Sequence, residues 1–303
     1  MDKITLRSPA TTANVGPGYD IFAMALKDPY DEITLKLTNT SNIEISIIGD
    51  SHIPTSITDN TAGLAISELF KRKNLKEGVK IEIHKKMPSC GGLGTTGASA
   101  AAAVYGLNQL LQLNLSANEM IDIARMGEVA SGGSPHADNV AASILGGFVL
   151  VKSYHPIDVL KLNIPDFPIV LAAIRKSQRT TRGFITYEIG QEKLKEQMAR
   201  CSSVIHALHT NDIQAFGNAI NVDHIAEPIR GAAIPEYKEA KQKVLDAGAF
   251  GCTISGGGSS VIAFCSLEKQ KEIAAIFENC FSNNPYYVKT ICSFTSNNGV
   301  HEI

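Results

Sequence analysis

Residues 3–7 and 79–84 alternate between apolar and polar side chains, the period of two that a half-buried strand presents. The first stretch reads as an edge strand. Stretches 32–37 and 42–48 are also strand-like, and the polar residues between them predict a paired hairpin. The period then changes. Thr58-Asp59-Asn60 precedes Ala62, Ala65, Ile66, Leu69 and Phe70, which share one face of a helix with Asn60 near its N-cap. Small and apolar residues over 100–113 predict a second helix, and Ser116-Ala117-Asn118-Glu119 is a capping box that opens a third. The apolar stretch 140–151, which contains Gly146-Gly147, predicts strands that close a first domain, and 167–174 predicts a strand that opens a second. Helices over 191–208, 212–221 and 236–247, a strand over 261–265, a helix over 267–281 and a strand over 286–294 complete the chain. The mixture predicts an α+β protein of two domains, 1–155 and 156–303.

Composition narrows the function classes. With 303 residues, 44% of them hydrophobic, the chain can bury a sizeable core. Its net charge is −2 and its lysines are dispersed, so it lacks the basic stripe of a nucleic-acid-binding surface. The apolar stretch 140–151 is too short to span a bilayer, and no secretory hydrophobic segment opens the chain. A cytoplasmic protein with no membrane partner is expected. The six cysteines show no C-x-x-C pairing, which suits free thiols in a reducing compartment.

The densest chemistry is Pro88-Ser89-Cys90-Gly91-Gly92-Leu93-Gly94-Thr95-Thr96-Gly97-Ala98-Ser99, between a predicted strand and a predicted helix. Glycines let the backbone approach a ligand, and the free N–H groups of a helix start favour anions. The stretch is a phosphate cradle in outline, or else an ordinary turn. It is not a Walker loop, because no lysine lies between Lys86 and Lys152. Gly92, Gly94 and Gly97 do satisfy dinucleotide spacing, but Pro88 and the tandem threonines better suit a loop that offers hydroxyls to phosphate and metal. Cys90 within it is explained more simply by packing than as a nucleophile.

Other polar groups fall where chains often carry function. The Pro-, Gly- and small-residue-rich stretch 9–20 contains Asn14 and ends on Asp20, which either caps the following segment or lines a pocket for a small polar substrate. On a helical wheel Glu128 falls between Ile121 and Ala124, so its carboxylate faces inward and needs a cation, either a salt-bridge partner or a metal. Ser131 to Asn139 reads as a loop carrying His136. Arg182 lies in a basic surface loop, and Arg230 follows Glu227-Pro228.

Pro-x-x-x-Gly-Leu-Gly-[Ser/Thr]-[Ser/Thr]-x-Ala, written here from Pro88 to Ala98 with Gly97 at the position before that alanine, resembles the phosphate loop of the GHMP kinases. Residues 9–20, the segment from Gly127-Glu128 to His136-Ala137-Asp138-Asn139-Val140, the Glu227-Pro228-Ile229-Arg230 run and the glycine loop 251–260 are similar to further motifs of this superfamily, and the first two are most like those of homoserine kinases. The resemblance implies a two-domain α+β GHMP kinase fold, an N-terminal half like ribosomal protein S5 domain 2 and a ferredoxin-like C-terminal half, often assembled as a homodimer. It implies ATP and Mg²⁺ as cofactors and L-homoserine as the small-molecule substrate, phosphorylated on its side-chain hydroxyl in threonine biosynthesis. Carried over by position, it puts Pro88, Gly91, Gly92, Leu93, Gly94, Thr95, Thr96, Gly97 and Ser99 on the nucleotide phosphates and Asn60 near the base. Glu128 and the Thr96 hydroxyl would hold the metal. Asn14, Asp20, His136, Asn139 and Arg230 would bind the amino acid, with Asn139, Glu128 and Thr96 serving catalysis by positioning rather than through an aspartate base. One departure stands out. The family pattern Thr-x-x-Ala-Arg supplies a carboxylate-binding arginine, and counting from Thr181 that place holds Ile185, with Arg182 as a displaced substitute. A different small alcohol as acceptor, or a non-catalytic nucleotide-binding role, are the alternatives.

Overall fold

The computed structural model describes residues 2–88, 90–132, 134–176 and 188–303. Among these residues the architecture is α+β, with two sheets. The first sheet has seven strands: β1 (Lys3–Ala13), β2 (Phe22–Thr38), β3 (Ile43–Ile48), β4 (Gly78–His84), β5 (Phe148–Tyr154), β6 (Ile157–Leu162) and the short β11 (His301–Glu302). The second is antiparallel, in the order β10 (Tyr287–Phe294), β7 (Pro168–Ile174), β9 (Val261–Phe264) and β8 (Gly251–Ile254).

Three expectations about the strands are corrected. The stretch 3–7 is not an edge: β1 lies between β2 and β11 and continues to Ala13. Residues 8–13 break the alternation because both of their faces are buried. The stretches 32–37 and 42–48 do not pair, because β4 inserts between them, antiparallel to β2 and parallel to β3. The long β2 joins β4 through its second half and β5 through Phe22, Ala23 and Met24. The apolar stretch 140–151 is also not all strand: Asp138–Leu145 is helix α5, and only β5 follows the glycine pair.

Helices α1 (Thr61–Lys73), α2 (Thr95–Leu110) and α3 (Ala117–Ala124) pack with α5 over the first sheet. Asn60 caps α1 through its side-chain oxygen, which accepts from the N–H groups of Ala62 and Gly63. The predicted capping box is present at α3, with Ser116 and Glu119 reciprocally bonded. Residues Ala98 and Ala100 to Ala103 of α2 are all fully buried, and their small size lets the helix sit deep against its neighbours. A 3₁₀ turn, Arg125–Glu128, and the short α4 (Val129–Gly132) follow α3, so part of the expected 131–139 loop is helical.

In the second half, α6 (Gln191–Thr210) and α7 (Ile213–Ile220) lie on one side of the sheet, and α9 (Tyr237–Asp246) and α10 (Gln270–Phe281) on the other, with the short α8 (Glu227–Ala232) between. An aromatic cluster spans both halves: Phe22 meets Phe148 with centroids 4.9 Å apart, and Phe216 stacks on Phe167 and meets Phe264 edge-on. These rings belong to one buried apolar cluster that draws residues from both halves and packs the two sheets together. No helix among the described residues is long and apolar enough to cross a membrane.

Candidate functional site

β4 leads into Lys85-Lys86-Met87, and this exit is fixed by a buried carboxylate. Asp31 of β2 accepts from the backbone N–H groups of Lys86 and Met87 at 2.8 and 2.9 Å and pairs with the Lys85 ammonium. The glycine loop that follows is held against the second half of the chain. Gly91 donates to the Ile174 carbonyl, and its own carbonyl accepts from Ser260. Ser255 Oγ donates to the Gly92 carbonyl at 2.6 Å, and Leu93 is buried with its carbonyl accepting from the N–H of Thr11. The 251–260 glycine loop therefore packs on the phosphate loop. Gly92 has φ +92°, and a Cβ there would lie 2.1 Å from the Ser255 carbonyl oxygen.

Helix α2 starts at Thr95, earlier than its apolar run suggests, with Gly94 as a left-handed N-cap. Thr95, Thr96 and Gly97 occupy its first turn, where backbone N–H groups lack helical partners and the dipole favours an anion. Ser99 is buried and donates to the Thr95 carbonyl, which commits its hydroxyl to the helix. Asn60 is similarly committed, to the cap of α1 and to the Pro54 carbonyl. Glu128 is buried on the 3₁₀ turn, and the neighbouring Gly127 packs against Thr61 of α1 and Ala100 of α2. Pro88 is half-buried at the entrance of the loop. The Cys90 thiol is pushed up to about 11 by burial, against smaller opposing effects of Ser260, Lys289 and Arg175, so it is protonated and unsuited to attack.

Asn139 sits at the start of α5, next to the cradle. Its side-chain oxygen accepts from the Thr11 hydroxyl at 2.7 Å, and its amide nitrogen faces Asp138. A Cβ on Gly94 would lie 2.0 Å from Thr11 Oγ1 and 2.8 Å from Asn139 Oδ1, so the phosphate loop, β1 and α5 meet at one point.

A second polar group gathers on the β1–β2 connection. Asn14 and Asp20 both have positive φ, and Asn14 Oδ1 accepts from the Asp20 N–H at 3.0 Å. Asp20 therefore caps no helix; it lies in a turn that this bond helps to close. Asn14 Nδ2 and Arg230 Nη1 both donate to the Gly256 carbonyl, at 2.9 and 3.1 Å. The Arg230 guanidinium lies 5.5 Å from the Tyr19 ring centroid. His136 Nδ1 is 3.6 Å from Asp20 Oδ2, and its Nε2 is buried with no hydrogen-bond partner among the described residues. Tyr154 donates to the Asp20 carbonyl at 2.7 Å; burial first, then the charges of Asp138 and Asp20, pushes its phenol upward and keeps it a neutral donor.

Contacts thus link Asn14, Asp20, His136 and Arg230 into one polar group, and the glycine loop and Asn139 bond to neighbouring residues of the same β1 and 251–260 segments. Arg182 and Ile185 lie outside the described residues. Thr11, Tyr19, Tyr154 and Ser255 escaped the sequence reading. Thr11 and Ser255 sit inside motifs whose other residues drew notice, while Tyr154 looked like an ordinary strand residue. Among the described residues no cluster of three or more His, Cys, Asp or Glu side chains is placed to hold a metal by itself.

Comparison with known proteins agrees with this architecture. The profile described as GHMP kinases N terminal domain matches residues 60–147, and that of GHMP kinases C terminal matches 204–283. The chain is 35% identical over 292 residues to the homoserine kinase of Methanococcus vannielii, covering 95% of this chain and 96% of that one. It is 36% identical to the Thermoplasma volcanium homoserine kinase, covering 86% of this chain and 84% of that one. The crystal structure of homoserine kinase from Cytophaga hutchinsonii superposes with a TM-score of 0.91 at 34% identity, covering 100% of this chain and 98% of that one. Two packed α+β halves joined at a glycine-loop cradle define a phosphotransferase of the GHMP kinase fold, acting on a hydroxyl group. Within that superfamily the chain belongs to the homoserine kinase family.

Proposed function

We propose that this protein transfers the γ-phosphoryl group of ATP to the side-chain hydroxyl of L-homoserine, forming O-phospho-L-homoserine, a step of threonine biosynthesis. The observation that carries the reading is the convergence of a carboxylate, an imidazole and a buried guanidinium beside the phosphate cradle. An amino acid presents an ammonium and a carboxylate, and Asp20 and Arg230 are their complements. The partnerless Nε2 of His136 offers a further contact for substrate.

The first turn of α2 and the hydroxyls of Thr95 and Thr96 would bind the phosphates. Mg²⁺ in nucleotide sites takes one or two protein oxygens and completes its shell with phosphate and water, and the buried Glu128 carboxylate and a hydroxyl from the first turn of α2 are donors of that kind. Glu128 and Thr96 would hold it; when bound, the metal neutralises charge on the phosphate oxygens. Asn139, oriented by the Thr11 hydroxyl and Asp138 beside the cradle, would align the attacking hydroxyl. Phosphoryl transfer needs alignment and charge neutralisation more than covalent help, so the reaction proceeds by positioning.

The test is ADP release from Mg-ATP with L-homoserine, L-threonine, L-serine, mevalonate and simple sugars. Turnover confined to L-homoserine is the expected result. Activity only on an alcohol that lacks an α-carboxylate would replace the proposal with a changed acceptor, as Ile185 would then suggest.

A further inference from the structure

Gln197 lies midway along α6, a helix with an otherwise largely exposed N-terminal half, yet it is only 3% exposed. Its side chain uses every hydrogen-bonding direction that counts. Nε2 donates to the Pro17 carbonyl at 2.7 Å and to Asp223 Oδ1 at 3.0 Å, while Oε1 accepts from the His224 N–H at 2.7 Å. One turn further along α6, the Cys201 thiol donates to the same Pro17 carbonyl. Asp223, itself buried, accepts from the backbone N–H groups of Ile225, Ala226 and Glu227, and so fixes the entry into α8.

Each end of this network stops short of the proposed acceptor site by a few residues. Pro17 stands midway between Asn14 and Asp20, and Tyr19 beyond it faces the Arg230 guanidinium. Asp223 orders the turn whose next helix carries Arg230. Gln197 and Asp223 are both buried. Their hydrogen bonds span three chain segments that no strand pairing connects: the β1–β2 connection, α6 and the 223–227 turn.

We infer that Gln197 and Asp223 are a positioning pair that sets the separation between Asp20 and Arg230, and hence the acceptor's ammonium-to-carboxylate length. The inference rests on the proposed homoserine reading for its substrate, but the positioning itself does not. A fixed spacing between the two charged side chains admits an acceptor whose ammonium and carboxylate sit on one carbon and disfavours one in which they lie farther apart or one is missing. The phosphate cradle is attached elsewhere, through Gly91, Gly92 and Leu93, so disturbing the pair leaves the nucleotide site in place.

The test uses two variants of the full chain. Gln197→Glu keeps the volume and the acceptor for His224 but sets a carboxylate against the Pro17 carbonyl and Asp223. Asp223→Asn keeps one of the two acceptor oxygens and sets an NH₂ group against the Glu227 N–H. Hydrogen exchange read by mass spectrometry is expected to accelerate at least tenfold in peptides covering 14–22 and 223–230, with 91–110 unchanged. Steady-state kinetics are expected to show a tenfold or larger rise in KM for L-homoserine with KM for ATP within twofold, whereas a merely structural role would lower the active fraction and leave both KM values alone. Unchanged exchange in both segments, or unchanged KM for homoserine in both folded variants, overturns the inference. If the unmodified protein fails to phosphorylate homoserine, the homoserine reading falls and the exchange measurement alone decides the pair.

Discussion

Replacing Gly92 by alanine probes the union of the phosphate loop with the second half of the chain. Gly92 has φ +92°, and its new Cβ would start 2.1 Å from the Ser255 carbonyl oxygen. That oxygen is backbone, and Ser255 is itself held by its hydroxyl on the Gly92 carbonyl and by its N–H on the Ser260 carbonyl. No flexible side chain can swing away, so the two loops must part by roughly 1 Å to reach ordinary contact. The left-handed backbone adds about 1–2 kcal/mol for a residue with a Cβ. A displacement of that size at a positioned site lowers turnover by about 100-fold, which corresponds to roughly 2.7 kcal/mol of lost transition-state stabilisation. The assay is coupled ADP release with ATP varied, accompanied by thermal unfolding. The expected result is a fall of about 100-fold in kcat/KM for ATP and a lower Tm. Gly190→Ala is the control, since nothing among the described residues lies within 4 Å of its added Cβ, and it should keep activity within about twofold. A Gly92→Ala enzyme within about threefold of the parent would refute the argument, because the loop would then have absorbed the clash without moving the cradle.

Within the same loop, Gly97→Ala should behave differently: its Cβ would meet Asn139 Cβ at 3.3 Å, a tightness relieved by a few tenths of an ångström, so most activity and a slightly higher Tm are expected. Asn139→Leu should abolish most turnover while leaving ATP binding, measured by calorimetry, within about threefold, and full turnover would remove Asn139 from the mechanism. Cys90→Ala should retain activity, and native Cys90 should resist alkylation at pH 8, because burial holds its thiol up at about 11. Burial alone would raise the Asp122 carboxyl, but hydrogen bonds from Arg72 and Arg125 outweigh it and hold the group below its ordinary range. That stability is present above the unfolded carboxyl value near 3.9 and is lost as pH falls through the lower folded value. Thermal melts of Asp122→Asn should therefore sit below those of the parent at pH 6 and approach them near pH 3, while parallel curves at all pH values would contradict the assignment.

Local signals in the chain were reliable where one segment decides its own structure. Asn60 caps α1, and Ser116 with Glu119 forms the capping box of α3, because both depend on side chains reaching backbone a few residues away. The glycine loop was equally plain, since its conformation is written in Gly92 and Gly94. What failed was decided by distant partners. β4 enters between β2 and β3 from some thirty residues beyond β3, and nothing in the polar turn after β2 announces it. The run 140–151 is nearly all apolar, and such a run does not separate a buried helix from a buried strand. Glu128 does face inward as the wheel implies, though from a 3₁₀ turn beyond the end of α3. Of the site, the residues within dense motifs were legible. Gln197 and Tyr154 were not, because an isolated polar residue on a helix or strand shows no period and gains meaning only from what the fold brings against it.

The most direct test of the central claim is phosphorus NMR of the product after exhaustive reaction of L-homoserine with Mg-ATP and the purified protein. The account predicts one new phosphomonoester resonance, split by the two protons of an adjacent CH₂ group, formed in equal amount to ADP, with the α-amino group still free. ADP accompanied only by inorganic phosphate, with homoserine recovered unchanged, would contradict it.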